Sequence, residues 1–169
     1  MSMYVPMNRV HQSRTLKPKY AKTQATPQAV RLDPAWDAKR DIFPGSVLSR
    51  KAKGYVTLCD GTNAPAGLSA NFVAPVYGID EVRGTAGDGD MAMWVLGGDA
   101  VFEVSAPAFD KAADWSGAAS KLDGGKAVYL KANADGLLTV EDADVPTKDT
   151  AARLIGVEGD RTIYVAGLL

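Results

Sequence analysis

All 17 glycines of this 169-residue chain lie at or after Gly45. The first 44 residues hold none, yet they carry five of the nine prolines: Pro6, Pro18, Pro27, Pro34 and Pro44. Glycine supplies the positive-φ turns of tight hairpins, whereas proline removes a backbone donor from helices and sheet ladders. The chain is therefore read as two segments: an extended, proline-containing arm over 1–41 and a β-rich domain over 42–169. Charge divides it at the same place. Residues 1–41 carry eight Lys and Arg against three Asp, a net +5, whereas residues 42–169 carry 11 basic and 17 acidic residues, a net −6.

The arm shows no sustained helical or strand periodicity. Its prolines block a long helix and interrupt sheet ladders. A segment of this composition that cannot bury itself is ordered by a partner, so an arm bound to another chain is the expected state. An arm wrapped on its own domain and a mobile tail are the alternatives. The expected anchors are its apolar and aromatic residues, Tyr4, Met7, Leu16, Tyr20, Leu32 and Trp36. An exposed ion pair contributes only about 0–1 kcal/mol, whereas a buried aromatic anchor contributes about 2 kcal/mol or more.

The second segment alternates short apolar, β-branched or aromatic runs with Gly, Asp and Asn clusters. Strands are predicted near 46–51, 55–59, 76–82, 91–96, 101–105, 126–131, 137–141, 153–158 and 161–166. Gly159-Asp160 closes the last pair as a hairpin. One short helix is predicted over 107–115, with Pro107 in its first turn. No βαβ repeat occurs, so a parallel nucleotide-binding sheet is not expected. The predicted fold is mainly β, a small barrel or sandwich with one short helix, preceded by the extended arm.

Catalytic chemistry has little to work with. Cys59 is the single cysteine and His11 the single histidine. A disulfide framework, a histidine metal cage and a Cys-His nucleophile are thereby excluded or left resting on one residue. The run Arg83-Gly84-Thr85-Ala86-Gly87-Asp88-Gly89-Asp90 lacks the Gly-Lys-Ser/Thr end of a phosphate loop and reads as a hairpin loop. Asp80-Glu81 and Glu141-Asp142-Ala143-Asp144 read as solvated acidic rims. Ser46, Ser49, Ser69, Ser105, Ser116 and Ser120 lack a nucleophile-elbow context. No apolar run approaches the roughly 18 residues of a membrane span, and the start lacks an apolar signal core. The formal charge of −1 gives no bias toward nucleic acid. A non-enzyme with no cofactor, no metal, no nucleic-acid partner and no membrane partner is expected.

A pattern over 42–105 remains. It runs Phe43-Pro44-Gly45-Ser46-Val47-Leu48-Ser49, then Gly54-Tyr55-Val56-Thr57-Leu58-Cys59-Asp60-Gly61-Thr62, then Ala66-Gly67-Leu68-Ser69-Ala70-Asn71-Phe72. Ile79-Asp80-Glu81-Val82-Arg83-Gly84 follows, and Met93-Trp94-Val95-Leu96-Gly97-Gly98-Asp99-Ala100-Val101-Phe102-Glu103-Val104 closes it. This resembles the capsid decoration (head cement) proteins of tailed bacteriophages, of the lambda head-decoration type. The resemblance implies a β-tulip or barrel-like fold and self-association, commonly as a homotrimer. It further implies a place on the outer surface of the virion capsid, with the arm pairing with major capsid protein strands. The function it implies is structural: clamping neighbouring major capsid proteins and so stabilising the head. A carbohydrate-binding or adhesive head module, with an aromatic platform near 88–94 or 107–115, is one alternative. A carboxylate-based hydrolase is the other.

Overall fold

Where apolar and polar residues alternate in the second segment, strands form, and they are joined by the glycine turns. The computed structural model describes residues 15–20, 25–35, 41–74, 79–80, 90–97 and 99–168. In chain order the strands are β1 (Leu16–Tyr20), β2 (Thr26–Leu32), β3 (Val47–Arg50), β4 (Tyr55–Leu58), β5 (Pro65–Ser69), β6 (Val73–Ala74) and β7 (Ile79–Asp80). They continue with β8 (Asp90–Val95), β9 (Val101–Ser105), helix α1 (Trp115–Asp123), β10 (Tyr129–Ala132), β11 (Leu138–Glu141), β12 (Thr150–Glu158) and β13 (Thr162–Ala166).

Strands β6 and β7 pair with each other, antiparallel, and the remaining eleven form two larger sheets. Five form a closed barrel in the order β2-β4-β3-β5-β8, with β8 returning to pair with β2. Only the β2–β4 seam is parallel, with Arg31 opposite Tyr55 and Leu32 opposite Val56. The other six form an antiparallel sheet, β1-β9-β13-β12-β10-β11. Val30, Leu32, Leu48, Val56, Leu58, Met91 and Met93 fill the barrel. Phe102, Val104, Leu130, Leu138, Leu154, Ile163 and Val165 form the sheet core, which Ala118 of α1 joins.

The two cores meet through strands buried on both sides. Successive strand residues point to opposite faces. In β3, Leu48 therefore enters the barrel core while Val47 joins the sheet core. Leu68 of β5 also joins the sheet core, and the Trp94 ring of β8 lies 5.2 Å from that of Phe102. Gly67 permits this packing. A Cβ there would sit 2.5 Å from the Trp94 carbonyl oxygen, so no side chain fits between β5 and β8.

Several expectations are corrected. The helix does not form over 107–115 but over Trp115–Asp123. Asp110 takes the Ala112 N–H on its Oδ1 at 2.9 Å, which holds a turn. Asp114 accepts the Gly117 N–H at 2.8 Å, the side-chain cap that starts the helix. The strand predicted over 126–131 begins at Tyr129, and β5 was not anticipated. Of the strand predicted over 76–82, only Ile79–Asp80 falls among the described residues, as does only Asp90 of the 83–90 loop.

In the described part of the arm, two segments are strands of these sheets. Residues 16–20 are the edge strand of the six-stranded sheet, and residues 26–32 are a stave of the barrel. Prolines concealed both. Pro18 lies on a sheet edge. Pro27 has a partner on the β8 side only, because β2 meets β4 just at Arg31 and Leu32. Edges and strand starts are where a missing N–H is tolerated.

Candidate functional site

Among the described residues most polar groups that could do chemistry are engaged in structure, although the buried Ser49 Oγ has no hydrogen-bond partner. Glu141, the single buried carboxylate among the described residues, accepts hydrogen bonds from the Thr147 and Thr150 hydroxyls, each at 2.6 Å. Both of its oxygens thus hold the 142–149 loop in place. Ser46 Oγ accepts the Phe43 N–H, and Ser69 Oγ donates to the Asn71 carbonyl. Cys59 is buried, with its thiol directed at the Asn63 carbonyl at 3.3 Å. Among the described residues no group of three or more His, Cys, Asp or Glu could hold a metal ion. His11 lies outside the described residues.

A shallow cleft of about 670 Å³ lies between the start of α1 and the β12–β13 turn, lined by Lys111, Asp114, Trp115, Gly159 and Asp160 among others. Trp115 is half-buried in it. Its Nε1–H donates to the Asp110 carbonyl at 2.6 Å, and its ring meets Phe109 edge-on at 5.3 Å. This indole therefore caps the core, and it is the aromatic that the 107–115 expectation concerned.

The expected anchors separate into three kinds. Leu16 is partly buried against the sheet core and Leu32 is 2% exposed inside the barrel, so both hold their strands to this domain. Tyr20, at 62% exposure, faces outward. Tyr4, Met7 and Trp36 lie outside the described residues.

Around Tyr20 the outer face of the six-stranded sheet carries a polar and aromatic row that sequence reading did not assemble. Lys17, Glu103, Tyr164 and Gly156 stand opposite one another across four strands. A register shift between Pro18 and Tyr20 bulges β1, and the Lys19 ammonium lies 3.8 Å from the centre of the Tyr164 ring. A bulge re-aims side chains in this way. The Lys19 pKa is raised, first by its hydrogen bond with Tyr164. The Tyr164 hydroxyl in turn donates to Glu158. A signal was present, the alternation of Lys17, Lys19 and Tyr164, but the sequence does not reveal that these strands share a sheet.

The profile of the phage cement protein family matches residues 2–167. The chain belongs to the phage cement protein family. It is thus a structural, capsid-associated protein of the bacteriophage virion. The match extends over the glycine-free segment as well as the domain, in keeping with the strands that segment contributes. Comparison with curated proteins finds no match.

Proposed function

We propose that this cement protein binds the outside of the phage head and stabilises it by clamping neighbouring major capsid proteins. The family match across residues 2–167 carries the reading. A ligand that binds only the assembled shell stabilises that shell by mass action. Tyr4, Met7 and Trp36 are the proposed contacts to the major capsid protein, because Leu16 and Leu32 serve the domain itself. Attachment as a homotrimer would multiply weak individual contacts, since linked sites bind at high effective concentration. Adding the purified protein to heads that lack it tests the reading. The heads should retain the protein on sedimentation and release DNA only at a higher temperature. Loss of both effects for a Tyr4→Ala, Met7→Ala double variant would support the assigned contacts. Retention with no gain in head stability would sink the clamping role.

A further inference from the structure

The six-stranded sheet is electrically lopsided. One edge is β1, with Lys17 and Lys19 exposed and no acidic residue. The opposite edge is β11, followed by the loop over 142–149, where Asp142 and Asp144 are exposed, Asp149 is half-exposed and Lys148 is the single cation. Five strand spacings of ~4.8 Å put these edges about 24 Å apart. Apolar exposure follows the same two edges. Tyr20 is 62% exposed at the end of β1, and Val145 is 67% exposed in the middle of the acidic loop. Of the exposed large hydrophobics among the described residues, only Ile155, at 42%, lies elsewhere. Each edge thus presents an apolar centre with a charged surround, and the charges are opposite.

Neither edge invites simple strand addition. Pro18 removes a donor from the middle of β1 and the bulge follows it, devices that blunt an edge. On the other side the Asp110 N–H already donates to the Leu138 carbonyl, and Thr139 Oγ1 donates to the Asp110 carboxylate. What remains available on both edges is side chains.

We propose that β1 of one copy docks side-on against the 142–149 loop of a second copy, with Tyr20 against Val145 and Lys17 and Lys19 facing Asp142 and Asp144. The inference rests on the self-association in the proposed function and names its contact surface. Because the two patches differ, the contact is heterologous, and such contacts close into rings when the rotation permits. Tyr20 then faces a neighbouring copy, not the shell. Unlike patches in contact also exclude the two-fold pairing of β1 with β1, where lysines would meet lysines.

Site-specific cross-linking with a short bis-maleimide tests the arrangement, in solution and on heads. A Tyr20→Cys, Val145→Cys double variant should form covalent oligomers that run as a closed ring or ladder on denaturing gels. Each single variant should remain a monomer there, as should the unmodified protein with its buried Cys59. Charge reversal supplies a second reading at ~0.1 M salt. Lys17→Glu with Lys19→Glu, or Asp142→Lys with Asp144→Lys, should each weaken association about tenfold or more, and combining all four should restore it. Dimers from Tyr20→Cys alone would overturn the proposal in favour of a two-fold edge contact. So would an unmodified protein that sediments as an oligomer while the double variant gives no cross-link, which leaves self-association standing. Monomers throughout, both free and on heads, would sink self-association itself and the contact with it.

Discussion

Asp60 illustrates how far single residues in this chain are committed to turns. Its carboxylate accepts the Thr62 hydroxyl at 2.6 Å and the Thr62 N–H at 2.9 Å, and these bonds hold its pKa below the ordinary carboxylate value. A depressed folded-state pKa lends stability that is present above the unfolded value and is lost as pH falls through the folded one. The side chain is exposed, so the contribution is small and screened. Thr62→Val removes the hydroxyl donor and leaves the backbone one. NMR titration of the Asp60 carboxyl should then show its pKa rising toward the ordinary value. An unchanged midpoint would mean that the hydroxyl bond does not set it. Asp-Gly-Thr was legible in the sequence as a turn because Asp and Gly have short-range reasons to be there. The same local logic misplaced the helix. Pro107 suits a first helical turn, but Asp110 and Asp114 each bind a backbone N–H ahead of it, and the second of them starts the helix.

At the scale of elements, the arm behaves in its described part as two strands of the domain. Leu32 is buried in the barrel, and β2 bridges β8 and β4 to close it. Removing residues 1–36 would therefore open the barrel and expose its core. Removing residues 1–14 leaves both strands in place. Circular dichroism and urea melts should show a cooperative transition for the shorter deletion and loss of it for the longer one. A folded product lacking residues 1–36 would return the arm to the status of an appendage. Most strands over 42–169 were legible because apolar alternation and glycine turns are local signals. Val101–Ser105 and Asp90–Val95 follow them closely. β1, β2 and β5 were not legible. Each contains a proline, and each depends on a distant partner: β9 for β1, β8 for β2, and β3 and β8 for β5. The edge surface was hidden for the same reason. Its basic and acidic residues are more than a hundred positions apart in the chain, and only the sheet order puts them at opposite edges.

Across the whole molecule, the barrel and the sheet are coupled by shared strands more than by a linker. β3 serves both cores with adjacent residues, Val47 and Leu48, each fully buried. The Val47 N–H donates to the Gly136 carbonyl and the Cys59 N–H to the Val47 carbonyl, which ties the barrel wall to the β10–β11 turn. Opening the barrel would therefore strip Val47, Leu68 and Trp94 from the sheet core as well. Burial of this kind, shared between the two cores, favours one cooperative transition. Two tryptophans report on the two parts: Trp94 lies at the barrel–sheet junction, and Trp115 packs on Phe109 beneath the helix. With the other tryptophans replaced by Phe, a variant retaining only Trp94 and one retaining only Trp115 should each unfold in urea in step with its own far-UV dichroism. A shared stability change from the Phe replacements shifts both probes of one variant equally, so the comparison within each variant is the decisive one. Trp94 fluorescence changing at a distinctly lower urea concentration than the dichroism of the same variant would show that the barrel opens by itself and that the shared strands do not couple the two sheets.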